Sequence, residues 1–388
     1  MRKLPFEYAV RNLGRKPLRL LLSLGGSALV VLLVLTASAF VRGMEKSLVN
    51  SGNDKNIMIM QAGSTDSVER SDMSASVPGI VRSSIPGIKN KLGMDYVSPE
   101  VHIALQIFKD ENDTKESSAV IRGFTPAALL VHEQINIIDG RLPEAGKDEI
   151  MVGQLTAARM GWNPERLTPG QTVWFDNRTW TIAGQFAAAG TVMDAEIWCP
   201  ITDIMIATKR EGYSCVVVTL DQAELSDVEM FTASRNNLEL AAISETEYYK
   251  KLVSFYKPVR LMIWVTAGLI ALGGLFGGLN TMHAAFSARH REVGMLRSLG
   301  FSRRAIAISL IQESILISCC GALLACIFGM IFIDGMSVQI SMGAFGLSVD
   351  STTVAIGLIS GLFLGFAGAS PAIINMTKMP VTLALKAV

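Results

Sequence analysis

RHREVGMLRSLGFSRRAI, residues 289–306, is the most charged short stretch in the second half of the chain, and it separates two long apolar blocks. A cationic segment in that position is either an exposed loop of a soluble protein or one face of a membrane bundle. Composition decides between them. Half of the 388 residues are hydrophobic and 18% are charged, which is low in charge for a soluble protein. Four runs with few or no charges, 20–41, 261–282, 305–333 and 353–374, are each long enough to cross a hydrocarbon layer of about 30 Å as a helix. The first run follows a basic stretch but is too long for a signal peptide and has no small-residue cleavage site, so it reads as an anchor.

Orientation follows from Lys and Arg. Arg2, Lys3, Arg11, Arg15, Lys16 and Arg19 precede the first run, and Arg289, Arg291, Arg297, Arg303 and Arg304 lie between the second and third. The loop 334–350 has neither residue, and Lys378 and Lys386 lie in the tail. Both termini and the quoted stretch are therefore expected in the cytoplasm, with 42–257 outside it. That outer part holds 21 Lys and Arg against 29 Asp and Glu, so an acidic domain sits on a basic remainder. Nothing in this distribution argues for nucleic acid.

The expected fold is a polytopic α-helical membrane protein with four transmembrane helices plus a large α+β extracytoplasmic domain between helices one and two. An interfacial helix over 1–19 places Phe6, Val10, Leu13 and Pro17 on one face. The first span is 20–41, the extracytoplasmic domain 42–258, the second span 259–282, a cytoplasmic loop 283–304 and the third span 305–333. A short loop 334–352, the fourth span 353–374 and a cytoplasmic tail 375–388 complete the chain. Within the domain, HIALQIF, SSAVIRGF, QTVWF, TWTIAGQF, EIWCPI and CVVVTL read as strands, and 63–76 reads as a mobile polar loop. Thr125 ahead of Pro126 marks a helix start. Ser244 with Glu247 forms a capping box that opens a stalk helix over 244–258, continuing with a kink at Pro258 into the second span.

Small residues four apart, Gly273 and Gly277 with Gly274 and Gly278, then Gly321, Ala325 and Gly329, then Gly357, Gly361 and Gly365, predict close helix packing within a bundle or a dimer. Cys319, Cys320 and Cys326 are ordinary packing residues of the third span. Cys199 and Cys215 lie in the outer domain, where a disulfide and two free buried thiols are the alternatives.

Chemistry is sparse. GRLPEAGKD, residues 140–148, has five residues between its glycines and Asp148 after the Lys, so it is not a phosphate-binding loop. His102, His132, His283 and His290 lack metal-ligand spacing, no nucleophile stands beside a base, and no catalytic or metal site is expected. Glu313 is the one acidic residue deep in a span; a functional carboxylate and a snorkelling or ion-paired one are its two readings.

The quoted stretch is built differently from a slack loop. Glu292 to Leu299 forms a short helix, Gly300 supplies a left-handed stop, Phe301 folds back on Leu296, and Ser302 caps the third span. Such a rigid knob suits a partner's groove.

NTMHAAFSARHREVGMLRSLGFSRRAI resembles the cytoplasmic loop of FtsX-like permeases, the membrane subunits of the MacB and LolC/LolE class of type VII ABC transporters. Asn280, Met282, Arg289, Arg291, Glu292, Gly294, Leu296, Arg297, Leu299, Gly300, Ser302, Arg303 and Ile306 carry the likeness, with Val293 in place of Ile and Ser298 in place of Ala. VIRGFTPAALL, IDGRLPEAGKDEIMVGQLTAARMGW, LTPGQTV, WTIAGQF and GTVMDAEIWCPI are similar to the extracytoplasmic core of MacB-type permeases, and MTKMPVTLALKAV to their tail. The segment 63–92 matches least.

The resemblance implies a permease subunit in a bacterial cytoplasmic (inner) membrane. It works with a second permease copy or a paralogue and with a separate cytoplasmic ABC ATPase that binds ATP and Mg; no cofactor is implied for this chain. Arg291, Glu292, Val293, Gly294, Leu296, Arg297, Leu299 and Gly300 would form the ATPase-coupling helix within 283–304, with Val293, Leu296 and Leu299 as its docking face. Some relatives add a membrane-fusion protein and an outer-membrane channel. The implied function is ATP-driven movement of the outer domain that exports or extracts a hydrophobic or lipid-linked substrate. The alternative is a transducer that activates an outside partner without transport.

Overall fold

The computed structural model describes Glu7, Tyr8, Val10 and residues 17–287, 290–340 and 343–378. Most of the expected interfacial helix, Arg289 and the tail past 378 lie outside these residues. The chain forms two compact units, one of Met1–Arg42, Pro258–Met336 and Leu347–Val388, the other of Gly43–Lys257 and Ser337–Gly346.

In chain order, α1 (Pro17–Ser51) begins in the first unit and ends in the second, followed by β1 (Asn56–Gln61), α2 (Val77–Ser84), β2 (Asn90–Lys91), β3 (Met94–Asp95), β4 (Val97–Ile107) and β5 (Ser117–Phe124). Next come α3 (Ala128–Val131), β6 (Asn136–Gly140), β7 (Glu149–Gly153), α4 (Thr156–Met160), β8 (Thr172–Phe175), β9 (Arg178–Ala187), β10 (Ile197–Pro200) and α5 (Ile201–Thr208). β11 (Cys215–Thr219), α6 (Leu225–Ser234), β12 (Leu240–Ser244) and α7 (Glu245–Phe255) close the domain's main segment. The first unit resumes with α8 (Lys257–Ser287), α9 (His290–Ser298) and α10 (Arg303–Phe328); β13 (Ser337–Ile340) and β14 (Gly343–Gly346) belong to the second unit, and α11 (Ser351–Lys378) to the first.

Four helices in α1, α8, α10 and α11 are long and apolar enough to cross a membrane. Glycines set the packing of three of them. A side chain at Gly361 would strike Ala322, one at Gly365 would strike Ser318 and one at Gly357 would crowd Cys326, which is why α10 and α11 lie so close. Gly321 faces Ser27 and Gly329 faces Leu35, both of α1. Ser314 adds a hydrogen bond across the pair, its Oγ donating to the Gly365 carbonyl at 2.8 Å. Gly273 and Gly277 do not share this role: a side chain there would meet nothing within 4 Å, and on α8 it is Gly274 that meets Val30. At the other end of α1, Arg42 pairs with Asp350 at 2.7 Å. Burial would raise the Asp350 carboxyl, but the Thr353 N–H and Arg42 outweigh it and hold the carboxyl at about 2.

The second unit is built on ten strands in the order β12-β1-β11-β4-β5-β10-β7-β9-β6, with β8 on β9. β4 joins its halves, because residues 97–100 pair with β11 and residues 101–107 with β5. Each half has its own apolar core. Ile57, Ile59, Val97, Val216 and Val218 pack with α2 and α6 on one side, and Ile121, Ile150, Trp180, Ile182 and Ile197 pack with α4 and α5 on the other. These alternating β-branched and aromatic positions are what a half-buried strand presents. β13 and β14 pack against α4 and the turn Val192–Ala195.

Several expectations change. α1 continues past 41 to Ser51, whose Oγ accepts the Val192 N–H at 2.9 Å. The stalk and second span are two helices, broken at Tyr256, with Pro258 in the first turn of α8. A proline lacks an N–H and crowds the residue before it, so a new helix start suits it better than an interior kink. Ser244 does cap α7, accepting the Glu247 N–H at 3.2 Å. The segment 63–76 contains a turn at Val68–Arg70 tied by the Val68 N–H to the Tyr248 hydroxyl. Thr125 does not cap α3, whose cap position is Ala127. Cys199 and Cys215 are separate buried thiols. β10 and β11 have β5 and β4 between them, so three strand spacings of about 4.8 Å keep the pair far beyond the roughly 7 Å limit for a disulfide.

Candidate functional site

In the first unit, α9 ends as a closed motif. Gly300 has φ +91°, the Phe301 N–H bonds the Leu296 carbonyl at 3.1 Å, and the Gly300 N–H bonds the Arg297 carbonyl at 3.1 Å. This double bond to the last turn is the Schellman arrangement. Ser302 then accepts the Ala305 N–H at 3.2 Å and starts α10. The turn between the two helices is thereby fixed by backbone bonds at the α9 end and by the Ser302 side chain at the α10 end.

The residues of α9 divide differently from the expectation. Val293 is 5% exposed and packs with Ile306, Leu310, Ala369 and Ile373, while Leu296 and Phe301 border the same cluster. Gly294 is buried beside it; Glu292 and Arg297 are half-buried; Arg291 and Gly300 are exposed. Leu299 is 65% and Met295 52% exposed. The reason is geometric. Steps of three residues drift backward on a 3.6-residue helix, so Leu299 lies roughly 120° from Val293 and shares a face with Met295. Val293 and Leu296 anchor the helix, and the outer apolar face is Met295 with Leu299.

The four long helices also line a half-open pocket of about 350 Å³ bordered by Gly26 and Ser27 of α1, Gly274, Gly277 and Gly278 of α8, Ser314 and Ser318 of α10, and Gly365 and Gly368 of α11, with apolar side chains between them. The small-residue stripes thus border a void as well as helix contacts. Glu313 is buried in the same unit, on α10.

The second unit holds a buried ionic network that the sequence did not disclose. Register places it on one face of the sheet: Cys215 pairs with Glu100, His102 with Arg122, and Arg122 with Trp198. Glu100 is fully buried and accepts from His132 Nε2 at 2.8 Å, Arg122 Nη1 at 2.6 Å and Ser98 Oγ at 3.0 Å, with His102 Nε2 at 3.2 Å. Arg122 reaches across to Glu196 with two further bonds of 2.7 and 3.0 Å, and its guanidinium lies 5.2 Å from the Trp198 ring centre. Burial on its own would raise the Glu100 carboxyl, but His132 and Arg122 hold it well below the usual carboxylate range. The same contest lowers Glu196, through Arg122. Burial and Arg122 keep His102 below its ordinary value.

Glu100, His102 and Cys215 come within 4.8 Å of one another, a spacing that could hold a metal ion. Their chemistry fits an ion network better. The Glu100 carboxylate is already filled by donors, the Arg122 charge repels a cation, and burial pushes the Cys215 thiol well up. Only the Glu100-x-His102 spacing on a strand hinted at this cluster; its members beyond β4, Arg122, His132, Glu196 with Trp198, and Cys215, come from four separate segments.

The FtsX-like permease C-terminal family matches residues 264–381, and the MacB-like periplasmic core domain family matches residues 20–230, more than half of the chain. A macrolide export ATP-binding/permease protein MacB of Bdellovibrio bacteriovorus is 23% identical over 399 residues, covering 92% of this chain and 58% of its own length. One from Campylobacter jejuni is 26% identical over 122 residues, 31% of this chain and 19% of that protein. The chain therefore spans little more than half of the first of these relatives. Among solved structures, the periplasmic region of MacB from Actinobacillus actinomycetemcomitans aligns with TM-score 0.39 and 12% identity over 53% of this chain and 95% of its own. The extracellular domain of the noncanonic ABC-type transporter YknZ from Gram-positive bacteria aligns with TM-score 0.37 and 13% identity over 49% and 100%. Four apolar helices joined to a domain of the periplasmic core type, with both family matches, place this chain in the FtsX-like, MacB-type permease family of ABC transporters.

Proposed function

We propose that the chain is the force-transmitting permease of a type VII ABC transporter. A separate cytoplasmic ATPase, binding ATP and Mg, docks on α9; two permease copies, or this chain with a paralogue, form the membrane core. ATP-driven closure of the ATPase pair moves the helices, and α1 and α7 carry that movement into the outer domain. The product is export or extraction of a hydrophobic or lipid-linked substrate. A membrane-fusion protein and an outer-membrane channel are partners of the tripartite version of this system.

The observation that carries the reading is the construction of α9. A helix pinned by Val293, stopped at Gly300 and recapped at Ser302 presents Met295 and Leu299 outward, a small apolar face on a rigid mount. Apolar anchors flanked by charge are what a helix offers to a groove. Leu299→Asp is expected to reduce capture of the ATPase in a pulldown by at least about tenfold, the scale of losing one buried apolar anchor of 1.5–3 kcal/mol. The variant should insert and fold as the parent does. Val293→Asp should instead lower the thermal stability of the helical unit. Undiminished capture with Leu299→Asp overturns the docking role.

A further inference from the structure

We propose that His132 is a positioning residue that pins the start of the stalk helix α7 to the centre of the outer-domain sheet, and that the pin releases when His132 loses its proton. This rests on the reading of α7 as the stalk and of its domain as lying outside the cytoplasm. Glu245, the first residue of α7, is 1% exposed; its Oε2 accepts from the Asn53 N–H at 3.1 Å and from Asn56 Nδ2 at 2.9 Å. Its Oε1 lies 3.8 Å from Nδ1 of His132. The other ring nitrogen of His132 meets Glu100 of β4 at 2.8 Å. The imidazole therefore stands between two buried carboxylates, one on the sheet and one on the stalk.

A neutral imidazole carries one N–H and an imidazolium two, so only the protonated ring can donate toward both carboxylates. His132 Nδ1 is buried with no hydrogen-bond partner among the described residues, which leaves Glu245 as the charge it faces. The surrounding groups are Glu100 and His102 of β4, Arg122 of β5, Glu196 ahead of β10, Cys215 of β11, and Glu245 and Tyr249 of α7. Burial and Arg122 both work against a proton on His102. With His132 charged, it and Arg122 face Glu100, Glu196 and Glu245, and its charge offsets the burial that pushes the Glu245 carboxyl up; without that proton Arg122 alone faces them, and nothing cationic draws Glu245 toward the sheet. A buried charge left uncompensated is costly, and the contact that can yield is the long one to α7.

Burial by itself lowers the His132 pKa, but Glu100 and Glu245 outweigh it and hold the value above the ordinary one. A raised folded value means that this stabilisation is complete below about pH 6.5 and is lost as pH rises through the folded pKa. A domain outside the cytoplasm meets the pH of its surroundings, so the joint would stiffen or loosen with them.

Hydrogen exchange of the full-length chain in nanodiscs, corrected for intrinsic rates, tests this without any ATPase, so it stands apart from the coupling reading. Between pH 6 and pH 9, protection at residues 246–250 is expected to fall about tenfold, the scale of weakening one buried contact to a charged group, while residues 180–186 of β9 keep theirs. His132→Gln should give low protection at 246–250 with no pH dependence. Equal pH dependence in both segments, or its survival in His132→Gln, overturns the proposal. Should His132→Gln expose β9 as well, NMR titration of the four histidines of the parent chain decides: one titrating above about 6.5 and lost in the variant supports the pin, and none doing so overturns it.

Discussion

At the scale of single residues, Arg122 shows how one side chain holds a domain's centre together. It is 2% exposed and bonds two buried carboxylates, Glu100 of β4 and Glu196 just ahead of β10. Removing it strands both. Arg122→Met is expected to lower the domain's unfolding free energy by about 3–5 kcal/mol in denaturant titrations, the cost of breaking a buried ion pair from one side. Because both carboxyls are held below their usual range, the stabilisation they give is present above about pH 4.3 and is lost as pH falls through the folded values, so the parent should lose more on acidification than the variant. None of this was legible in the sequence, since Glu100, Arg122, His132, Glu196 and Glu245 approach only through strand register and a loop crossing. The end of α9 was legible, because Gly300, Phe301 and Ser302 act on neighbours within five residues. Which side of α9 faces outward was not. A nine-residue helix carries apolar residues on more than one face, and only the packing of Ile306, Ala369 and Ile373 shows that Val293 is the inward one.

At the scale of elements, the glycine stripes separate into two kinds. Gly361 and Gly365 allow α10 and α11 to touch, whereas a side chain at Gly273 would meet nothing within 4 Å among the described residues. Gly361→Leu is therefore expected to destabilise the helical unit by about 1–3 kcal/mol, the range for overpacking a tight core, and Gly273→Leu to leave the monomer's thermal unfolding unchanged. The spacing of four predicted small-residue packing for all of them, and sequence spacing alone cannot tell a helix face with a neighbour from one without. The strands with alternating apolar residues were legible for the same local reason that α9's end was. β6 was not, because all five of its residues are exposed and it has no alternation to read. The break at Tyr256 also has a local cause, yet Ser244 to Trp264 is helix-prone enough to read as one continuous helix.

At the scale of the whole molecule, the chain crosses between a helical unit and a sheet unit four times: α1 passes from the first into the second, α7 leads back to α8, and β13 with β14 leaves the first unit and returns to it. Long apolar runs made the four long helices readable, since the length a membrane demands is a one-dimensional property. The assignment of β13 and β14 to the sheet unit was not readable, being a contact between segments more than 140 residues apart. The proposed force transmission would carry motion at α9 to the domain along these crossings. The most direct measurement is a pulsed EPR distance between two permease copies, each spin-labelled at Glu111→Cys in a Cys319→Ser, Cys320→Ser background, reconstituted in nanodiscs with the ATPase. The distance distribution should shift between the nucleotide-free and ATP-trapped states and should not shift when Leu299→Asp is added. An unchanged distribution in a complex that hydrolyses ATP and still moves substrate would contradict force transmission through this chain.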